Sequence, residues 1–293
     1  MRILVTGREG QLARSLAELA PTVPLLDLLF AARPECDLAV PGSAAAMIES
    51  VRPGLVINAA AYTAVDQAEA EPDLALRINA LAAGEIAEAC ARTGAPMLHL
   101  STDYVFAGNG DCPIREDAPI SPLGVYGRTK AEGEARVRAA QPDHLILRTA
   151  WVVSPFGKNF VGTMLKLAEA RDEIAVVADQ IGSPTSALEL ARVVLELADR
   201  RRSGDAGWRM TYHAAGTGQA SWAEVAQVVM EVSAKCGGPT ASIRPITTAA
   251  YPTPAARPIW SVLDTRALAS QFGLTLGCWR EGIDNVTARL LAG

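Results

Sequence analysis

Histidine is scarce in this 293-residue chain. There are three, His99, His144 and His213, and no two stand close enough in sequence to suggest a metal site. His99 lies inside an apolar run and reads as a packed core residue. Five cysteines, at 36, 90, 112, 236 and 278, are scattered without metal or redox spacing. An odd count with no disulfide framework suits a reducing compartment, so a cytoplasmic location is expected. No apolar run is long enough to span a bilayer, and the first strand-like segment begins at once, without a signal-like stretch before it. A large charge of one sign is also missing. The net charge is −5, which excludes general attraction to nucleic acid and leaves no reason to expect a membrane surface as partner. The run Arg200-Arg201-Arg202 follows a helix expected at 187–198 and reads as its solvated cationic end. With 49% apolar and 20% charged residues the chain is an ordinary globular one, long enough for two domains or one domain with a lobe.

What is present begins with Val125-Tyr126-Gly127-Arg128-Thr129-Lys130. Positions i and i+4 share a helix face, so Tyr126 and Lys130 place a phenol beside an ammonium. The chain has five tyrosines and four lysines, so chance makes such a pair uncommon. A positive neighbour lowers a phenol's pKa and lets it pass a proton near neutral pH. The plain alternative is a surface helix with a tyrosine on one edge.

At the amino end, Arg2-Ile3-Leu4-Val5-Thr6 reads as a buried strand, followed by a glycine turn at residues 7–13 and a helix at 14–20. Strand, glycine turn and helix together present backbone N–H groups and a positive helix end to a phosphate. Gly7 permits the turn, Gly10 lets backbone approach a pyrophosphate, and Ala13 is small enough for close helix–strand packing. An ordinary βα turn is the alternative. A third feature is Leu98-His99-Leu100-Ser101-Thr102-Asp103, an apolar strand ending in a hydroxyl and a carboxylate. In open α/β sheets, such carboxyl ends line the ligand crevice. Thr102 can serve a substrate oxygen beside Tyr126, or merely cap a turn. Asp103 can equally be a loop acid facing water.

Further strands are expected within 23–30 and at 54–58, 96–101 and 143–149. Helices are expected at 43–51 (opened by a Ser43 cap), 73–93 and 125–140. This alternation argues for an α/β, doubly wound parallel sheet over residues 1–150, a dinucleotide-binding domain to which some later segments return. Residues 151–293 are expected to form mainly a smaller substrate-binding lobe, with helices at 164–170, 189–199 and 222–232 and strands at 173–177 and 208–212. Three prolines between Pro252 and Pro258 mark an extended loop at 250–258.

These segments together resemble the extended short-chain dehydrogenase/reductases, and within them the dTDP-4-dehydrorhamnose reductases, over nearly the whole chain. The likeness rests on residues 7–13, 56–66, 101–106, 125–130, 148–151, 179–185 and 251–258. It implies a Rossmann fold and NADPH-dependent reduction, with NADH as the other candidate cofactor, of the C4 keto group of a dTDP-4-keto-6-deoxy sugar. By this resemblance Tyr126 is the general acid, Lys130 holds the nicotinamide ribose and tunes Tyr126, and Thr102 orients the carbonyl. Thr102, Asp103 and Trp151 touch the sugar nucleotide. Gly10, Gln11 and Leu12, with Gly7, meet the pyrophosphate; Asp37 and Leu38 the adenine side; Ala61, Tyr62 and Thr63 the middle of the cofactor; Leu100 the nicotinamide side.

Where an acid commonly follows the second strand, this chain has Ala32 and Arg33, which favours a 2′-phosphate and hence NADPH. Lys158, Asn159 and Arg257 are further candidates for phosphate contacts, or solvated loop residues. Some relatives are magnesium-dependent dimers with glutamates near the first helix. Ser15 and Glu189 do not reproduce that pattern, so Mg2+ and a homodimer stay open. Two rivals remain: a nucleotide-sugar epimerase or dehydratase of the same fold, disfavoured because Tyr104 stands where a dehydratase carries an acid, and a non-catalytic regulatory subunit resembling that of methionine adenosyltransferase.

Overall fold

Alternate residues of the first strand face opposite ways, and both ways are apolar. In a computed structural model that describes residues 1–204 and 208–293, Ile3 and Val5 enter one core with Leu16, Leu98 and Leu145. Leu4 enters another with Val56, Met97 and Ile146. A strand buried on both faces belongs inside a parallel sheet covered by helices on each side.

The first half runs β1 (Arg2–Thr6), α1 (Gln11–Leu19), β2 (Asp27–Ala31), α2 (Ser43–Val51), β3 (Leu55–Asn58), α3 (Val65–Ala70), α4 (Pro72–Leu76), α5 (Ala82–Thr93), β4 (Met97–Thr102), α6 (Val125–Ala140) and β5 (His144–Thr149). The second half runs β6 (Val152–Val153), α7 (Phe160–Ala168), β7 (Glu173–Val177), β8 (Ile181–Gly182), β9 (Thr185–Ser186), α8 (Ala187–Arg202), β10 (Met210–His213), β11 (Ala220–Ser221), α9 (Trp222–Lys235), β12 (Ser242–Ile246), α10 (Arg266–Phe272) and α11 (Trp279–Ala292).

Six strands form the central sheet in the order β10-β5-β4-β3-β1-β2, every neighbouring pair parallel. This is the α/β, doubly wound Rossmann architecture. From β1 the chain steps to β2 on one side and to β3, β4 and β5 on the other, so the topological switch point lies between β1 and β3, where such sheets bind ligands. Register sets the height of each strand tip. Thr6 pairs with Asn58 and Asn58 with His99, so β4 continues three residues beyond β3 through Leu100 and Ser101 to Thr102. That overhang carries Thr102 to the rim of the crevice.

The second half contributes to the same sheet. β10 adds beside β5, and Leu190 and Val194 of α8 and Leu268 of α10 join the core on the sheet face to which Ile3 and Val5 point. A separate core of Val161, Met164, Ile174, Val225, Val229 and Ile283 unites α7, β7, α9 and α11.

Several local expectations are corrected. Ser43 does not cap α2: Gly42 holds the cap position with φ +75°, and Ser43 Oγ accepts the Asp37 N–H instead. The expected continuous helix at 73–93 is interrupted by a π segment at Arg77–Leu81. The extra residue per turn lets the Asn79 amide clasp the Tyr62 backbone from both sides and donate to Thr129 Oγ1. Arg200–Arg202 lie inside the last turn of α8, where they pair with Glu196, Asp143 and Asp199. β12, with a proline in an outlying two-stranded sheet, and α3, α10 and α11 were not anticipated.

Two glycines set how closely α6 can approach its neighbours. A Cβ on Gly133 would come within 2.2 Å of the Asn79 carbonyl oxygen, and one on Gly127 within 2.2 Å of the Tyr104 carbonyl oxygen. Alanine improves helix propensity by about 1 kcal/mol, but the clash is with backbone that cannot swing aside. Gly133→Ala is therefore expected to lower stability by about 1–3 kcal/mol, read as a lower urea midpoint; an unchanged or higher midpoint would show that the π segment yields.

Candidate active site

The switch point opens into a cleft of about 1150 Å³. It is built first from β1 and its turn. Gly7 has φ +90°, a conformation that L side chains rarely adopt, and turns the chain out of the sheet. Gly10 precedes α1 with no side-chain cap, and the place its Cβ would occupy is open. The first N–H groups of α1 are thus left to an incoming anion. Gln11 is fixed from the second half of the chain: its amide nitrogen donates to the Val152 carbonyl at 3.2 Å and its oxygen accepts from Ser154 Oγ at 3.0 Å. Thr6 Oγ1 donates to Asn58 Oδ1 at 2.7 Å and accepts the N–H groups of Ala59 and Ala60, tying the tip of β1 to that of β3. His99 packs behind this link, fully buried, with Nδ1 3.0 Å from the Asn58 amide.

Apart from Asn159 and Arg257, every residue singled out from the sequence as catalytic, cofactor-binding or substrate-binding lines this one cleft. Arg33, Asp37 and Leu38 lie beyond β2; Ala61, Tyr62 and Thr63 follow β3; Leu100, Thr102 and Asp103 end β4; Tyr126 and Lys130 come from α6; and Trp151 follows β5. Lys158 also lines it. Asn159 instead caps α7 by accepting the Gly162 N–H. Arg257 is engaged within the protein: its guanidinium grips both oxygens of Asp66, at 3.0 and 2.7 Å, and pins the proline-rich loop to α3. Ser15 donates to the Gln11 carbonyl and Glu189 pairs with Arg192. Among the described residues no group of three or more histidine, cysteine or acidic side chains gathers around a point.

The electrostatics depart from the expected pattern. Lys130 is 3% exposed and its ammonium donates to the Leu100 carbonyl at 2.6 Å. Burial lowers its pKa to about 8, against a smaller opposite effect of Glu134. Tyr126 is not acidified. Withdrawal from water raises its phenol to about 12, the nearby Asp103 charge adds to the rise, and a hydrogen bond with Thr102 only partly offsets it. Desolvation of the phenolate is the largest effect, and the Lys130 ammonium, directed at the Leu100 carbonyl, is not among the groups that shift it. Burial likewise pushes Asp103 up to about 6, against hydrogen bonds from Ser261, Thr102 and backbone N–H groups.

Other members of the site were not anticipated. Trp222, at the start of α9, stacks on Trp151 with ring centroids 3.6 Å apart and planes 5° from parallel. Tyr104 meets Tyr126 edge-on at 5.4 Å. Glu134 lies one helical turn beyond Lys130, where its carboxylate accepts from Arg148 Nε at 2.9 Å and Ser101 Oγ at 2.6 Å. The Ser221-to-Glu224 capping box that positions Trp222 was legible as S-x-x-E; the indole's partner was not.

A phenol, a threonine hydroxyl and a lysine gathered past the glycine turn of a doubly wound sheet mark the short-chain dehydrogenase/reductase class of oxidoreductases. A family profile described as the RmlD substrate binding domain matches residues 1–292. The dTDP-4-dehydrorhamnose reductase of Sinorhizobium fredii is 44% identical over 99% of this chain and 98% of its own length, and that of Escherichia coli is 41% identical over 99% and 98%. The crystal structure of a dTDP-4-dehydrorhamnose reductase from Clostridium acetobutylicum superposes with a TM-score of 0.90 at 36% identity, covering 98% of each chain. That of the Bacillus anthracis reductase, in complex with NADP, superposes with a TM-score of 0.89 at 35% identity over 97% of this chain and 98% of the other. The chain belongs to the dTDP-4-dehydrorhamnose reductase family and is an NAD(P)H-dependent oxidoreductase.

Proposed function

We propose that this enzyme reduces the C4 keto group of dTDP-4-dehydro-L-rhamnose to give dTDP-L-rhamnose, with NADPH as reductant and Tyr126 as proton donor, in the cytoplasm. The observation that carries the reading is the convergence of Tyr126, Lys130 and Thr102 on the cleft that Gly7 and Gly10 open. The residues suit a dinucleotide: open N–H groups at α1 for a pyrophosphate, and the exposed Arg33 beyond β2 for a 2′-phosphate. Gly7, Gly10, Gln11 and Leu12 would hold the pyrophosphate, Arg33, Asp37 and Leu38 the adenosine end, Ala61, Tyr62 and Thr63 the middle, and Leu100, Tyr126 and Lys130 the nicotinamide end.

When bound, the nicotinamide supplies the hydride. As negative charge grows on the carbonyl oxygen, Tyr126 gives up its proton there. A phenol near 12 stays protonated throughout the neutral range, which is the state a donor requires. Thr102 steadies the same oxygen by a hydrogen bond made where charge develops. Lys130, held by the Leu100 carbonyl, would bind the nicotinamide ribose. The stacked Trp151 and Trp222 offer the sugar nucleotide a flat apolar wall on the side of the smaller lobe, for which residues 151–293 supply most of the chain. The dehydratase alternative is disfavoured by Tyr104, packed on Tyr126 and hydrogen-bonded to Arg257, where that chemistry needs an acid.

The test is to mix the protein with the dTDP-4-keto-6-deoxy sugar and follow nicotinamide absorbance. One NADPH is expected to be consumed per sugar; sugar turnover without loss of absorbance would point to the epimerase or dehydratase. One charge-assisted hydrogen bond to a 2′-phosphate contributes about 1.5–3 kcal/mol, so kcat/KM with NADPH should exceed that with NADH by about tenfold or more. Equal values would remove Arg33 from the role given to it.

A further inference from the structure

The Thr102 hydroxyl has a single proton, and in this structure that proton is engaged. Thr102 Oγ1 donates to Asp103 Oδ1 at 3.0 Å and accepts the Tyr104 N–H at 3.2 Å. While it points to Asp103, that proton cannot also serve the Tyr126 oxygen or a ligand in the cleft. Asp103 is 1% exposed, in the turn that ends β4. Its Oδ1 holds the Thr102 hydroxyl and its Oδ2 is buried without a hydrogen-bond partner, while the Ser261 hydroxyl, from the loop before α10, and backbone N–H groups of its own turn lie near enough to temper the rise in its pKa. The titratable groups facing it are the phenols of Tyr104, beside it in the chain, and Tyr126, from α6. The nearby cation, Arg257, is directed to Asp66 and Tyr104.

We propose that the protonation state of Asp103 decides where Thr102 aims its proton. An ionised Asp103 draws the hydroxyl proton away from the cleft. A protonated Asp103 donates its own O–H to Thr102 Oγ1 and releases the threonine proton to the oxygen that receives hydride. No proton is transferred between the two residues; only the direction of the hydrogen-bond chain reverses. Asp103 is thus a positioning residue that acts through Thr102, and the inference rests on the reductase reading above. Burial without a cation against it places the carboxyl at about 6, so both states are accessible near neutrality.

The experiment is single-turnover NADPH oxidation with the dTDP-4-keto-6-deoxy sugar from about pH 5 to about pH 8. The wild type is expected to lose about tenfold in rate, the effect of one transition-state hydrogen bond, as pH rises through the Asp103 value. Asp103→Asn is isosteric and cannot titrate, so its rate is expected to be flat across the range. Thr102→Val has no proton to aim and is expected to be flat as well, at or below the slow end of the wild type. A pH step that persists in either variant overturns the proposal, as does an active wild type without one. A wild type that consumes no NADPH overturns the reductase reading and the proposal with it.

Discussion

Tyr126→Phe is expected to lower kcat by about a hundred- to ten-thousand-fold, the range for loss of a positioned proton donor, while NADPH affinity stays within about twofold of wild type. The argument is one of geometry. The substitution removes one oxygen and keeps the ring, so the edge-on contact with Tyr104 at 5.4 Å survives and the start of α6 stays seated. Lys130 keeps its own hydrogen bond to the Leu100 carbonyl. What is lost is the phenol hydroxyl that lies beside Thr102 at the end of β4. Stopped-flow NADPH oxidation measures the rate, and quenching of the cofactor's fluorescence on titration measures the affinity. A variant that turns over as fast as the wild type would give the proton to another group, and the chemistry assigned to this cleft would have to be redrawn.

The largest effect on stability is expected at Glu134, beneath the site. Its carboxylate and the Arg148 guanidinium are 0% and 1% exposed and meet through two hydrogen bonds, at 2.9 and 2.8 Å. Arg138 and Ser101 add a third and a fourth. Glu134→Ala leaves Arg148 charged, buried and without its counter-ion. Breaking one member of such a pair costs about 3–5 kcal/mol, much more than the pair itself contributes over an apolar replacement. Chemical denaturation should show the loss, and an exposed pair such as Arg92 with Glu49 gives the contrast, at about 0–1 kcal/mol.

The pH dependence has a definite sign. Burial alone would raise the Glu134 carboxyl, but hydrogen bonds and charge from Arg148, with Ser101 and Arg138, outweigh it and bring the value down to about 2 from 4.5. A folded-state value below the unfolded one means the contribution is complete above about 4.5 and fades as pH falls toward 2. A melting temperature that declines over that acid range in the wild type should decline less in Glu134→Gln. Because Ser101 stands between Leu100, which anchors Lys130, and Thr102, the same variant tests whether this buried pair also holds the tip of β4 in register.

The glycine turn, the strands at 2–6 and 54–58 and the helix at 125–140 were legible because each is a local pattern: a β-branched run between breakers, a small residue where φ must be positive, or a phenol and an amine one helical turn apart. Thr102 and Asp103 followed from the rule that strand ends face the switch point of a doubly wound sheet, whereas Asp37, Leu38, residues 61–63, Leu100 and Trp151 came from the family resemblance alone. The breaks in the 73–93 helix were hidden because Asn79 departs from α-geometry to satisfy Tyr62, which precedes it by more than a turn. The acidity of Tyr126 was misjudged for a related reason. Sequence places Lys130 beside it but says nothing of burial, and burial is the larger effect.

By itself, then, the order of residues determined the parallel sheet, the dinucleotide-type turn and the identity of the phenol, hydroxyl and amine, all of which depend on neighbours within a few positions. Only the tertiary structure decided that β10 completes the sheet from the far half of the chain, that Trp222 lies on Trp151, that Arg257 closes on Asp66, and that Asp103 claims the Thr102 proton. Three of these are contacts between distant segments, and the fourth, between adjacent residues, lies where the fold leaves Asp103 1% exposed. Each depends on which groups the fold withdraws from water and brings together, which no local pattern of side chains records.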